Sequence, residues 1–189
     1  MRMATPEPIY HTADMVRALN EANPHWTPRY ETVYGELLVT PAPRVWHEVV
    51  VLRLVTALTT FLRDDPTWVV FGSLSDLTWG LPDTLVSPDV FVVSRAEAAT
   101  DSWDRFRTVP LAVEVLSPSS LRADRFTKRR LYQDREVGLY WIVDADAHTV
   151  EVWTPDVHFP SVERETLTWQ PAPDAAPFVY PLAELFQPL

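Results

Sequence analysis

The sequence predicts an α/β (α+β) fold in which a mixed β-sheet is flanked by helices. Apolar residues recur at helical spacing between residues 44 and 64, which is typical of a long helix with one face in the core. Two short, nearly all-apolar runs, Leu111–Leu116 and Leu139–Val143, are typical of strands buried on both faces. A helix over about 119–136 fits between them, and this length allows a right-handed crossover between parallel strands.

The N-terminal part is predicted to form a helix and a hairpin. Thr12 suits the N-cap of a helix over about 13–22. Two strand-like runs, Tyr30–Val33 and Glu36–Thr40, flank Tyr34-Gly35 in the manner of a hairpin. In the long helix that follows, six apolar residues are predicted to face the core: Val45, Val49, Leu52, Val55, Leu58 and Leu62.

The remaining elements are mostly strands. They are predicted at Trp68–Phe71, Ser75–Trp79, Leu85–Val93, Thr149–Trp153 and near 163–169, with a short terminal helix near 181–186. Gly138 is predicted to cap the helix of the crossover, because glycine adopts the left-handed conformation at little cost.

Length and composition favour one globular domain over residues 1–189, with residues 1–10 as a flexible tail. No apolar run approaches the roughly 20 residues of a membrane helix, and the N-terminus lacks the apolar core of a signal peptide. The absence of cysteine excludes disulfides and cysteine-based zinc sites. These features predict a cytoplasmic protein without a membrane partner.

The charge of the chain is unevenly distributed. The net charge is −10, which argues against a generally basic nucleic-acid-binding surface. Between Arg105 and Arg135, however, eight basic residues face only three acids. A basic block of this kind is typical of a phosphate-binding face or, equally, of an ordinary solvated helix face.

Glu114 is the least expected residue of the sequence, because it lies inside the apolar strand Leu111–Leu116. A lone buried carboxylate costs several kcal/mol unless it is paired or bound to a metal. Two interpretations of Glu114 remain open. It forms a core salt bridge to an arginine, or it is a metal ligand at the end of a central strand.

Asp89 is the second candidate acid. Pro88 suits the start of a strand and delivers Asp89 onto the run that follows. Asp89 is either a turn residue or, beside Glu114, half of an oxygen site suited to Mg²⁺. The main-chain carbonyl of Val115 is a candidate for a further oxygen ligand.

Lys128 lies on the predicted crossover helix. Asp124, Lys128 and Tyr132 are spaced by four residues, so they share the helix face that is predicted to meet the sheet. Lys128 is also the only lysine among 16 basic residues. An ammonium is a compact point charge and is not equivalent to guanidinium at a reacting centre. The alternative is an ordinary helix ion pair between Asp124 and Lys128.

These motifs together resemble the Uma-type (Uma-two) family of restriction-endonuclease-like proteins, within the PD-(D/E)XK nuclease superfamily. The resemblance covers roughly residues 15–155 and includes Gly35-Glu36-Leu37 and His47. The other matching segments are Pro88-Asp89, Glu114–Ser119, the Asp124, Lys128 and Tyr132 series, and Gly138–Asp144. The superfamily motif has lysine two residues after the acid, where this chain has Leu116. In this family the lysine is displaced onto the following helix, at Lys128.

The resemblance implies a metal-dependent endonuclease that hydrolyses phosphodiester bonds in DNA. Asp89 and Glu114, with Val115, would hold Mg²⁺ or Mn²⁺, and Lys128 would orient water or stabilise charge on the phosphate. Tyr132 would position Lys128 or touch the phosphate. Glu36, His47 and Asp124 are expected as auxiliary residues.

Three arginines, Arg122, Arg125 and Arg129, are expected to contact nucleic acid, and the family resemblance also implies a homodimer. A non-catalytic descendant of the fold, acting as a binding or regulatory module, is the alternative that the acidic composition favours. A nuclease acting on something other than duplex DNA is a third possibility.

Overall fold

The structure, a computed structural model, describes residues 9–25, 27–73 and 75–189. Most of the tail predicted at residues 1–10 therefore lies outside the described residues. The helices are α1 (Ala13–Glu21), α2 (Val45–Phe61), α3 (Arg95–Ala98), α4 (Arg129–Asp134) and α5 (Leu182–Leu185). A 3₁₀ turn spans Trp103–Arg105, and a π-helical segment, Ala123–Lys128, leads directly into α4.

Ten strands form one large and two small sheets. They are β1 (Arg29–Val33), β2 (Glu36–Thr40), β3 (Trp68–Gly72), β4 (Val90–Ser94), β5 (Leu111–Val115), β6 (Leu139–Asp144), β7 (Thr149–Trp153), β8 (Ser161–Glu163), β9 (Thr166–Trp169) and β10 (Phe178–Pro181). The large sheet has the order β3-β4-β5-β6-β7-β8, while β1-β2 and β9-β10 are separate antiparallel pairs. This mixed sheet with flanking helices confirms the predicted fold class.

The centre of the large sheet is the predicted crossover. β5 and β6 are parallel, with Leu111 opposite Leu139, and the other pairs of the sheet are antiparallel. Alternate residues of β5 enter different cores. Val113 and Val115 pack with α2 and the C-terminal elements, whereas Ala112 packs on the side of Leu131 and Tyr132. Because Glu114 shares the face of Ala112, its side chain meets the helix of the crossover.

That helix departs from the regular α form predicted over 119–136. Within the π-helical segment the main-chain bonds span five residues, as in the donation from the Arg129 N–H to the Asp124 carbonyl. The left-handed residue after α4 is Glu136, with φ of 55°, so the predicted cap at Gly138 is wrong. Gly138 has a different reason to be glycine, since a Cβ there would lie 2.8 Å from the Pro110 carbonyl oxygen.

Other elements were predicted with mixed success. The α1 helix and its cap are confirmed, because the Thr12 hydroxyl accepts from the Met15 N–H at 3.2 Å. The predicted strand Ser75–Trp79 is wrong, since only an isolated bridge joins Leu77 to Val86.

None of the helices in the described ranges is both long and apolar enough to span a membrane.

The inward face of α2 differs from the predicted one. Val45 and Leu52 are 76% and 62% exposed, and the buried residues are Val50, Val51, Leu54 and Leu58. The α2 helix is apolar on most of its surface, so the periodicity does not identify the buried face. At the C-terminus, the strand predicted near 163–169 is two short strands in different sheets.

Candidate active site

A pocket of about 280 Å³ lies where the start of β4 meets the end of β5. The antiparallel register pairs Val90 with Val113, so one further step sets Asp89 opposite Glu114 on the same face. Six of the residues predicted for the site line this pocket: His47, Asp89, Glu114, Val115, Asp124 and Lys128. The fold thus brings together side chains from two neighbouring strands, the long helix α2 and the crossover helix.

Asp89 is held by two neighbours. Its Oδ2 accepts from the main-chain N–H of Val115 at 2.8 Å and lies 3.2 Å from Nε2 of His47. Burial would lower the pKa of His47, but the hydrogen bonds and charges of Asp89 and Glu48 together outweigh burial and raise this pKa. His47 therefore adds positive charge beside Asp89 more readily than an ordinary histidine would.

Glu114 is 4% exposed and accepts two hydrogen bonds at one oxygen. Its Oε1 lies 2.9 Å from Nζ of Lys128 and 2.9 Å from the hydroxyl of Tyr132. The ion-pair partner of Glu114 is Lys128, so the predicted alternative of a core salt bridge to an arginine is wrong. Burial raises the pKa of Glu114 well above its ordinary value, although Lys128 opposes the shift.

Lys128 is 5% exposed and lies among three acids. Its ammonium is 2.9 Å from Glu31, 2.9 Å from Glu114 and 3.7 Å from Asp124. Burial alone would lower the pKa of Lys128, but the three carboxylates raise it well above its ordinary value. One ammonium cannot neutralise three carboxylates, so the cluster retains an excess of negative charge or an extra proton.

Asp124 is the least satisfied member of the cluster. It is 1% exposed, and among the described residues neither carboxylate oxygen has a hydrogen-bond partner. Burial is the main cause that raises the pKa of Asp124 to about 6. The Tyr140 hydroxyl donates to the main-chain carbonyl of Asp124 at 3.1 Å, which anchors the π-helical segment over the sheet.

Tyr132 and Glu36 lie in different surroundings. Tyr132 is fully buried beneath Glu114, so it supports that carboxylate from the protein side. Burial, followed by the charge of Glu114, raises the pKa of Tyr132 well above its ordinary value. Glu36 is exposed at the hairpin turn and does not line the pocket.

Two of the three arginines expected to contact nucleic acid are engaged within the chain. Arg125 pairs with Glu151 at 2.7 Å and lies 3.5 Å from Asp144. The Arg129 guanidinium stacks over the Trp153 ring and donates to Gln133. Only Arg122 of the three is exposed, so the basic block is less available to phosphate than its sequence indicates.

Glu31 is a site residue that was not predicted from the sequence. It is 2% exposed on β1, and its Oε2 lies 2.9 Å from Nζ of Lys128. The sequence does contain a sign of this role, because Glu31 lies in the strand-like run Tyr30–Val33. An acid on the inner face of any strand is buried and therefore needs a partner, as Glu114 does. The hairpin alone does not show which face is inner.

The donor set of the pocket suits a divalent cation. Carboxylate and carbonyl oxygens are hard ligands, and Mg²⁺ commonly uses one or two carboxylates and retains water. The carboxylate oxygens of Asp124 lack hydrogen bonds among the described residues, and acids outnumber cations in the pocket, so both features favour added positive charge. Among the described residues no three His, Asp or Glu side chains are already grouped as a metal site. The three predicted ligands, Asp89, Glu114 and Val115, all line this pocket.

Comparison with known proteins agrees with this fold. The crystal structure titled as a "putative nuclease belonging to DUF820" from Anabaena variabilis ATCC 29413 matches with a TM-score of 0.68 and 21% identity. The match covers 84% of this chain and 90% of that chain. No curated protein matches. The model of the Uma2 family, described as "Putative restriction endonuclease", matches residues 18–179. The chain therefore belongs to the Uma2 family of nuclease-like proteins.

Proposed function

We propose that this protein is a divalent-metal-dependent endonuclease that hydrolyses phosphodiester bonds in DNA. Membership of the Uma2 family supports a nuclease in general terms. The observation that carries the finer proposal is the convergence of Asp89, Glu114 and Lys128 on one pocket. A buried carboxylate and a buried ammonium beside a second, partly buried carboxylate are costly to maintain, and such clusters concentrate at functional sites.

In the proposed mechanism Asp89 and Glu114, with the Val115 carbonyl, would hold Mg²⁺ or Mn²⁺. The bound metal would polarise the phosphate and make a coordinated water more acidic. The Val115 N–H and His47 fix Asp89 Oδ2, which leaves the other oxygen of this carboxylate to face the pocket. Tyr132 fixes Glu114 Oε1 in the same way.

Lys128 supplies the positive charge of the protein at the reacting phosphate. Its ammonium stays protonated at neutral pH because three acids surround it, so its role is electrostatic and not that of a general base. From its position beside Glu114 it would stabilise charge that develops on a phosphoryl oxygen. Asp124 and Glu31 keep the ammonium in this place and are not proposed to touch the substrate.

Cleavage of supercoiled plasmid tests this proposal. Wild-type protein with Mg²⁺ or Mn²⁺ should nick or linearise the plasmid, and EDTA should abolish the reaction. Asp89→Asn, Glu114→Gln and Lys128→Met should each lower the rate by on the order of 10²-fold or more. Glu165→Gln, at an exposed position remote from the pocket, is the matched control.

Two results would change the proposal. If wild-type protein is inert on supercoiled, linear and single-stranded DNA and on RNA with both metals, the catalytic function fails and a binding or regulatory module is favoured. Cleavage of RNA but not of DNA would overturn the substrate while hydrolysis stands.

Metal binding can be tested without activity. Mg²⁺ or Mn²⁺ should raise the midpoint of thermal unfolding of the wild type, since a ligand that binds only the folded state stabilises it. Asp89→Asn should reduce this increase, and an unchanged increase would remove Asp89 from the ligand set. The homodimer that the family resemblance implies stays a prediction, which light scattering of the purified protein tests. A cytoplasmic location also stays a prediction.

A further inference from the structure

Glu31 reaches the pocket from outside the large sheet. It lies on β1, which pairs with β2 alone among the strands of the described residues, and its side chain crosses to the crossover helix. Both of its oxygens are used. Oε1 accepts from the main-chain N–H of Ser87 at 2.7 Å, and Oε2 lies 2.9 Å from Nζ of Lys128. Glu31 therefore joins the lysine to the main chain two residues before Asp89.

A second contact fastens the same strand to the same turn. Arg29, two residues earlier and so on the same face of β1, donates to the Ser87 hydroxyl at 2.6 Å. Thr32 and Leu85 exchange main-chain hydrogen bonds at 2.8 Å. The hairpin is thus held to the segment that leads into β4, by a side-chain contact at Arg29 and by main-chain bonds at Thr32, on either side of Glu31.

Lys128 needs such a partner. In this chain the lysine is on a helix and not on β5, so a long, flexible side chain must cross to the site. Glu114 alone could hold the ammonium from one side only, because its Oε1 is shared with Tyr132. Glu31 supplies the second strong contact.

We propose that Glu31 is a positioning residue, which fixes the Lys128 ammonium between the β1 hairpin and Glu114 and couples it to the turn that carries Asp89. Its effect on the reaction rests on the proposed endonuclease function, but its effect on Lys128 does not. If the ion pair only stabilised the fold, replacing Glu31 with another hydrogen-bond acceptor would not move the Lys128 ammonium. If Glu31 positions the ammonium, the same replacement would release it.

The single lysine makes this placement directly observable. Protein labelled with ¹³C,¹⁵N-lysine gives one lysine side-chain spin system, so no assignment is needed. In the wild type the two Hε protons should be inequivalent, and they should show nuclear Overhauser contacts to the Glu31 methylene protons. In Glu31→Gln, which keeps an acceptor for the Ser87 N–H, the Hε signals should merge and narrow. Glu165→Gln should leave them unchanged.

Kinetics give the second readout. If Lys128 acts on the transition state, Glu31→Gln should lower kcat by roughly 10²-fold, as expected for a catalytic group displaced by about 1 Å. KM should stay near the wild-type value, because substrate binding in the ground state is unaffected. Glu31→Asp keeps the charge with a shorter arm, so it should recover part of the lost rate.

The outcomes separate the two proposals. If wild-type protein is inert, the endonuclease function fails, and the lysine spectra still decide the role of Glu31. Absence of the contacts between Lys128 and Glu31 in wild-type protein would overturn the inference without any variant. Inequivalent Hε signals that persist in folded Glu31→Gln, or kcat that is unchanged in an active protein, would overturn it as well.

Discussion

Replacing Lys128 with methionine should destabilise the protein in a manner that depends on pH. The ammonium is 5% exposed and makes two contacts of 2.9 Å, with Glu31 and Glu114. Removal of one partner from a buried ion pair costs about 3–5 kcal/mol, since the other charge is left uncompensated. For a chain of this size each kcal/mol lowers the unfolding midpoint by about 2–4 °C, so a decrease of roughly 6–20 °C is expected at pH 8.

The loss should become smaller as the pH falls. An acid whose pKa is raised by folding stabilises the folded state at low pH, and this contribution disappears as the pH rises through the raised pKa. For Asp124 that window extends from its ordinary value of 3.8 to about 6, and Glu114 shifts in the same direction. Without Lys128 both carboxyl groups bind protons more readily, so the variant should recover much of its stability at pH 5.

Urea unfolding followed by tryptophan fluorescence at pH 8 and pH 5 measures both effects. Arg130→Met is the matched control, because Arg130 lies on α4 with its side chain 78% exposed and 3.9 Å from Asp134. An exposed pair of this type contributes about 0–1 kcal/mol. The reasoning is refuted if Lys128→Met costs less than about 1 kcal/mol at pH 8, or if its cost is the same at both pH values.

Three further outcomes are expected from other parts of the molecule. Tyr132→Phe removes the hydroxyl bond to Glu114 and should lower the free energy of unfolding by about 1 kcal/mol, measured by urea titration. Gly138→Ala sets a Cβ 2.8 Å from the Pro110 carbonyl oxygen and should cost about 1–3 kcal/mol, measured by thermal unfolding. If the protein binds DNA, Arg122→Ala should reduce the slope of log affinity against log salt by about one, measured by fluorescence anisotropy.

Controls for these outcomes lie elsewhere in the chain. Gly72→Ala should be tolerated far better than the change at Gly138, since the nearest atoms to a Cβ there are 3.9 Å away. Equal losses at the two glycines would contradict the close approach at Pro110. Arg125→Ala should act mainly on stability, because Arg125 pairs with Glu151. If Arg125→Ala changes the slope of log affinity against log salt as much as Arg122→Ala does, Arg125 also contacts DNA and its expected role in stability alone is wrong.

The central sheet and its crossover could be predicted because burial on both faces leaves a local signal. The apolar runs of β5 and β6 stand out in the sequence, and the intervening length permits only a long connection. Glu114 was identifiable for the same reason, as a charge inside such a run. The grouping of Asp89, Glu114 and Lys128 in one pocket followed from the family resemblance and could not be obtained from spacing alone.

Features that depend on packing between distant segments were not predictable. Glu31 and Glu36 both lie on the same hairpin, and only its docking against residues 85–87 decides that Glu31 is buried and Glu36 exposed. The crowding at Gly138 likewise depends on Pro110, which precedes a different strand. The π-helical segment gives no distinct period, because its four-residue spacings also fit an α-helix.

The π-helical segment has a consequence for how the length of this helix can vary. A turn that closes over five residues holds one residue more than an α-helical turn, so the chain before it is rotated by about 100° relative to a regular helix. Deleting one residue between Asp124 and Lys128 would restore regular hydrogen bonds to the helix and would also change the spacing of these two side chains from four residues to three. Among relatives that keep this site, the residues between Asp124 and Lys128 should accept substitutions but neither insertions nor deletions.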